Sequence, residues 1–269
     1  MTELRNEAFM KSMNKLTTLL ENKNSNVIDN WNPIDVHTHS ISSGHAYSTI
    51  TENIKIAKER NLSILGLSDH APNMPGSTHP YYFSNLRVLP EIIDGVRILK
   101  GVELNVLNEA GDVDLDDFTL SFLDYAIASL HLPCFKDLGK ERNTDALIQA
   151  MVNKKIIIIA HPDDNRLPVN YERLVLAAKE NDVLLEINNS SLSPAAFRVN
   201  ARDNYLEMLA LCKKHEVHVI INSDSHYHLD IGNWSYAMAL IHEIDFPKKL
   251  VINYNIEEFM KYVGRSSRR

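Results

Sequence analysis

Residues 34–39 read Ile-Asp-Val-His-Thr-His, an apolar run that stops on two histidines one residue apart. On an extended chain side chains alternate between faces, so His37 and His39 share a face and together can hold one metal ion. Asp35 is in register with them, where it is expected to orient a ligand's second nitrogen. The same design recurs at LSILGLSDH (62–70), VRILKGVEL (96–104), YAIASLH (125–131), IIIIAHP (156–162), VLLEIN (183–188) and VHVIINSD (217–224). These seven short apolar runs predict strands, and LVINY (250–254) is a candidate eighth. Helical stretches lie between them: one over 143–154, where Asn143 caps a face of Ala146, Leu147, Ala150 and Met151, and one over 200–214, with Tyr205, Leu206, Leu209 and Cys212 on one side. Strand and helix in alternation predict a parallel sheet. Nearly every run ends in His, Asp, Glu or Asn. In an open sheet a ligand uses the strand ends at one switch point, whereas in a barrel all C-terminal ends face one mouth, so the polar endings predict a closed α/β barrel.

The wider composition suits one such domain. The chain has 269 residues, 44% of them hydrophobic and 23% charged, as expected of a globular protein with a single core. Its 28 Lys and Arg against 35 Asp and Glu leave a formal charge of −7, which argues against binding nucleic acid through phosphate contacts. Cys134 and Cys212 make neither a disulfide framework nor a CxxC metal signature, so a reducing compartment is expected. Residues 1–20 mix acids and bases and lack a signal-peptide or membrane-spanning apolar stretch, which predicts a cytoplasmic protein with no membrane association. Leu4, Phe9, Met13, Leu16 and Leu20 recur at helical spacing, so residues 1–30 are expected to form a helical extension docked outside a domain spanning 31–269; a partner-binding arm is the alternative.

The strand endings, with His45 beyond the first of them, supply nine candidate metal ligands: His37, His39, His45, His70, Glu103, His131, His161, Asp224 and His226. Imidazole and carboxylate donors without thiolates point to Zn²⁺, Mn²⁺ or Fe²⁺ and away from a closed structural zinc finger. Nine donors are too many for one ion and suit a cluster of three, provided a carboxylate bridges, which its two oxygens allow and an imidazole does not. His215, His218 and His242 lie away from the expected mouth and are read as surface or packing residues. His79, in the loop APNMPGSTHPYYF (71–83), and His228, after SDSH, are candidates to reach substrate, and Tyr81, Tyr82 and Phe83 are expected to narrow the mouth. No GxGxxG, GxxxxGK[ST] or GxSxG motif is present, so dinucleotide, P-loop and serine-hydrolase chemistry are unsupported. Cys134 has no separate base to make it a nucleophile.

In order along the chain, HTH (37–39), SDH (68–70), the glutamate of GVELN (101–105), SLH (129–131), AHP (160–162) and SDSH (223–226) resemble the motifs of the PHP (polymerase and histidinol phosphatase) superfamily. HAYST (45–49), NLRVLPEIIDGV (85–96) and EINNSS (186–191) look like its YcdX-type bacterial phosphatases. The resemblance covers residues 34–264. It implies a distorted (βα)7 TIM-like barrel with a trinuclear site, usually of zinc and sometimes of manganese or iron, at the C-terminal ends of the strands. It also implies a ligand grouping: His37, His39, Glu103 and Asp224 on the first metal, Glu103, His131 and His161 on the second, and His45, His70 and His226 on the third. Asn222, which precedes SDSH, stands where such relatives often carry Gly.

That three-metal reading implies hydrolysis of a small phosphomonoester by a hydroxide bridging two of the metals, with no amino-acid nucleophile. His228, His79 or a water is expected to protonate the leaving group, and Arg198 and Arg87 are the candidates to orient phosphate, since a guanidinium offers a fixed fork to its oxygens. A PHP-type phosphodiesterase or 3′ to 5′ exonuclease and a non-catalytic metal-binding module are the competing readings, and a homo-oligomer is open.

Overall fold

The structure is a computed structural model that describes residues 33–266; the helix expected within 1–30 lies outside them. Among the described residues nine strands form two sheets. The first runs in the order β1 (Ile34–Asp35), β2 (Ile64–Leu67), β4 (Val96–Lys100), β3 (Ile92–Ile93) and is parallel except for the β3–β4 pair. The second, β5 (Glu103–Asn105), β6 (Ala126–Ser129), β7 (Ile156–Ile159), β8 (Leu184–Asn188) and β9 (Val219–Asn222), is parallel throughout. The four isoleucines of β7 are all buried, as a parallel strand covered on both faces requires.

Two single parallel bridges join the sheets, Thr38 with Ser225 and His70 with Glu103, and no continuous ladder closes them. A cluster of buried side chains lies inside this arrangement, drawing Ile34, Ile64, Leu99, Ile127, Ile158, Leu184 and Ile220 from seven strands and Phe259 and Val263 from the helix Ile256–Ser266. A larger cluster packs strand residues such as Leu65, Ile98, Leu185 and Ile221 against the other helices.

Several expectations need correction. The run 96–104 is not one strand: β4 pairs with β2, and after Gly101 the chain continues as β5 beside β6. A Cβ on Gly101 would lie 2.4 Å from ring carbons of Tyr125, and one on Gly66 2.2 Å from its hydroxyl oxygen, so the Tyr125 ring packs directly on bare backbone where the sheets meet. Its hydroxyl donates to Val36 O at 2.6 Å. The short strand β3 was not foreseen; Ile93 pairs with Val96 across Asp94 (φ 54°) and Gly95 (φ 86°), the Asp-Gly pair that a two-residue hairpin with left-handed backbone favours.

Residues 250–254 form no eighth strand. Val251 makes one bridge with Val219 between two 3-10 turns, because the Asn253 amide takes the strand's place, accepting from Ile221 N at 2.8 Å and donating to Ile221 O at 2.9 Å. The helix expected at 143–154 spans Lys140–Ala150, with Gly139 before it and Asn143 inside. Asn143 does not cap; its amide accepts from Leu138 N and donates to Asp137 Oδ1 and Pro168 O, tying the helix to neighbouring loops. The helix expected at 200–214 is Ala201–His215. No helix among the described residues is long and apolar enough to cross a membrane.

Candidate metal centre

Glu103 stands at the start of β5, fully buried, and imidazoles surround it. Its Oε1 lies 2.8 Å from His161 Nε2, 3.2 Å from His131 Nε2 and 3.4 Å from His37 Nε2, while Oε2 lies 2.6 Å from His70 Nδ1 and 3.6 Å from His39 Nε2. Asp224 Oδ1 faces His39 Nε2 at 3.2 Å, and His37 Nε2 and His226 Nδ1 at 3.5 Å. His45 joins from the exposed side, its ring centroid 4.8 Å from that of His70 and 4.9 Å from that of His226. All nine residues singled out by the sequence therefore converge, although β1 is regular only over Ile34–Asp35; the His37 and His39 rings lie 5.2 Å apart. His161 (φ 32°) and Asp224 (φ 54°) reach the cluster with left-handed backbone, strained for residues with a Cβ.

The outward nitrogens of three imidazoles are held from behind. Glu186 Oε1 accepts from His37 Nδ1 at 2.8 Å, Asn105 Oδ1 from His131 Nδ1 at 2.7 Å, and Ser43 Oγ from His39 Nδ1 at 3.0 Å. Ser43 gives its own proton to Asp69, which also accepts from Ser40 and Tyr82 and so pins the turn after His39. Each of these rings therefore turns Nε2 toward the cluster, the nitrogen that metal ligation would use. Buried and without a hydrogen-bond partner are His37 Nε2, His39 Nε2, His70 Nδ1 and Glu103 Oε2. Leaving buried polar atoms unpaired is costly, and a cation among them removes the cost, so the donor set fits a divalent metal. The donors fall into four overlapping groups: His39, His70, His226; His37, His39, Asp224; His37, Glu103, His161; and His70, Glu103, His131.

Protonation is arranged to match. Burial opposes the charge of Glu103, but His131, His37 and His70 outweigh it and hold the carboxyl well below its usual range; Asp224 is held down likewise, chiefly by His37. Burial lowers His131, His161 and His226, takes His39 well below its usual value, and with His70 and His226 brings His45 to about 4. His37 is the exception: burial lowers it, but Glu186, Glu103 and Asp224 together raise it. Ionised carboxylates and mostly neutral imidazoles are the forms that bind metal.

Glu186 was missed as a functional residue, although EIN (186–188) carries the signal: two polar side chains two apart on β8, both buried. Its Oε2 accepts from His161 N at 3.0 Å and Asn188 Nδ2 at 3.0 Å, and its Oε1 from Asn222 Nδ2 at 2.9 Å, so Asn222 braces this carboxylate. Asp35, expected to orient a ligand, instead accepts from Ser223 N and Gly232 N and touches no imidazole nitrogen; the task falls to Glu186 because β1 loses its regular alternation after Asp35.

A cavity of about 850 Å³ opens beside the cluster, lined by His45, His70, His131, His161, Asp224 and His226. Arg198 lies on its wall, with Nη1 2.8 Å from Ser191 Oγ and 3.5 Å from Asp224 Oδ2, and Nε 3.9 Å from buried Asp163, whose carboxyl burial pushes up to about 7. The other expected substrate contacts stand elsewhere. Arg87 lies over the Phe122 ring, 5.2 Å from its centroid; exposed His79 accepts from Tyr81 N; His228 pairs with Ser48 Oγ at 2.9 Å; and none of the three lines the cavity. Of the 71–83 loop, Met74 and Pro75 form the rim; Tyr81 and Tyr82 are not on the wall, and Phe83 is in the core.

The family model for the PHP domain matches residues 35–256. A Clostridium novyi (strain NT) protein named as a probable phosphatase is 43% identical over 230 residues, covering 86% of this chain and 93% of the relative. Among solved structures, the histidinol phosphate phosphatase of Lactococcus lactis subsp. lactis Il1403, complexed with zinc, L-histidinol and phosphate, matches with a TM-score of 0.56 at 19% identity over 80% of this chain and 94% of that one. A chain from an archaeal ribonuclease P complex with mature tRNA matches at 0.57 and 16% identity, over 87% of this chain and 90% of that one. At such identities both structures speak for the fold alone. With its motifs in order, its side chains gathered on one carboxylate and a close relative along most of its length, the chain belongs to the PHP domain family and is a phosphoesterase of that family.

Proposed function

We propose that the protein is a metal-dependent phosphomonoesterase acting on small phosphorylated substrates through a trinuclear site. The observation that carries this is Glu103: its two oxygens face different imidazole sets, His37, His131 and His161 on one side and His39 and His70 on the other, the disposition of a bridging ligand. One ion would be held by His37, His39, Glu103 and Asp224, a second by Glu103, His131 and His161, and a third by His45, His70 and His226. Zn²⁺ suits this nitrogen and oxygen donor set best, with Mn²⁺ or Fe²⁺ also compatible. When bound, such ions activate water and neutralise charge on phosphoryl oxygens.

The chain's own residues do the rest. Arg198, held by Ser191 and facing Asp224, presents its fork to a phosphoryl oxygen entering from the cavity. Glu186, Ser43 and Asn105 keep three imidazoles in one orientation. Around them we read the two sheets as a distorted seven-stranded barrel within a domain of residues 31–269, with β4 and β5 as successive halves of one broken barrel strand and β3 outside it; the bridges at both seams and the shared inner cluster support this. The test is metal content after chelator-free purification together with kinetics on a panel of monoesters, bis-esters and an oligonucleotide at one salt concentration. Monoesters are expected to give the higher kcat/KM; a bis-ester or oligonucleotide hydrolysed more efficiently than every monoester would replace this reading with a diesterase.

A further inference from the structure

The cavity is much larger than a phosphate group requires, and lies in the range that accepts drug-sized ligands. Away from the cluster its wall is largely apolar, with Leu132, Pro133, Leu167 and Tyr236, and on this wall stands Phe197, 74% exposed. A single exposed phenylalanine is ordinary on a protein surface. Phe197 differs in being fixed on the wall of the candidate active site: the Arg166 and Arg198 guanidinium carbons lie 5.3 and 5.7 Å from its ring centroid. The backbone on both sides is tied as well, Ala196 N donating to Ser193 O at 2.9 Å before the ring, and Asn165 N donating to Val199 O at 3.0 Å and Val199 N to Asp164 Oδ1 at 3.2 Å after it. Arg198 thus touches both parts of the cavity, its guanidinium near the ring and its Nη1 3.5 Å from Asp224 Oδ2.

We propose that the phosphomonoester taken here carries a flat aromatic leaving group that stacks on Phe197 while Arg198 spans the gap to the phosphate; this rests on the phosphomonoesterase reading above. Two arginines anchor the ring, yet most of its surface stays open, as a stacking platform requires. A saturated ring of similar size gains the apolar contact without the offset-stacking preference of two aromatic rings, so flatness is what this wall selects.

The test compares 3-phenylpropyl phosphate with 3-cyclohexylpropyl phosphate, whose leaving alcohols have similar acidity, on the metal-loaded full-length chain and on its Phe197→Leu variant. Binding of 3-phenylpropylphosphonate, which is not hydrolysed, is measured alongside by calorimetry. The aromatic ester is expected to exceed the saturated one by about fivefold in kcat/KM, mainly through KM, and the ratio to fall to about one in the variant, with the phosphonate bound several-fold more weakly. Because Phe197 is exposed, its replacement leaves the core untouched, and an aromatic preference that survives the replacement overturns stacking on Phe197. Equal or reversed rates for the two esters overturn the aromatic preference and leave the monoesterase reading standing; hydrolysis of bis-esters with neither monoester turned over overturns both.

Discussion

Glu186 Oε1 lies 2.8 Å from His37 Nδ1 with neither side chain exposed, which turns His37 Nε2 toward the cluster. The same carboxylate accepts from His161 N, so one side chain on β8 sets two of the cluster's histidines. Glu186→Gln keeps the shape but removes the charge that holds the His37 proton. Metal affinity or kcat is expected to fall by about 10- to 100-fold while the far-ultraviolet dichroism is unchanged. Activity and metal content within twofold of wild type would show that the pair is merely structural.

Metal analysis of protein purified without chelator is expected to find about three transition-metal ions per chain. Chelation should abolish turnover and lower Tm, because ionised Glu103 and Asp224 are then left buried among imidazoles without their cations. Re-addition of Zn²⁺ or Mn²⁺ should restore both. One ion or fewer after reconstitution would defeat the trinuclear assignment.

Glu103→Gln should be the most damaging isosteric change at the site. An amide bridges two cations poorly, and five imidazole nitrogens lie within reach of this carboxylate. Activity is expected to drop by about a hundredfold or more, with a loss in bound metal measured on the same sample. Full activity with full metal content would rule out bridging.

Arg198→Lys should keep the positive charge and lose the fork. Because Arg198 already contacts Ser191 and faces Asp224, its proposed task depends on geometry more than on charge. The expected result is about a tenfold rise in KM for monoesters, with bound metal unchanged. An unaltered KM would return Arg198 to a structural role.

Two glycines separate crowding from backbone strain. Gly101→Ala drives a methyl into the Tyr125 ring and is expected to cost about 2–3 kcal/mol, read from the denaturant midpoint. Gly95→Ala meets no atom within 4 Å and carries only the penalty of a left-handed turn, about 1 kcal/mol. The reverse order would mean that Tyr125 relaxes freely and does not set the join between the sheets.

The candidate metal ligands were legible in the sequence because all but His45 close or directly follow an apolar run, and a strand's length and polarity are local properties. His37, Glu103, His161 and Asp224 could be read as one set without knowing any angle between strands. Strand alternation with helices likewise follows from residue order, since parallel neighbours need a crossover between them. What sequence alone left undecided depends on contacts between distant residues. That β4 and β5 belong to different sheets follows from Tyr125 packing against Gly101 and Gly66; that 250–254 is no strand follows from Asn253 pairing with Ile221; that Glu186 rather than Asp35 holds His37 follows from where β8 lies beside the end of β1. Residue order thus chose the donors and the chemistry they can support. Packing chose which buried oxygen faces which nitrogen, because hydrogen bonds act over about 3 Å and only the folded chain brings such distances into being.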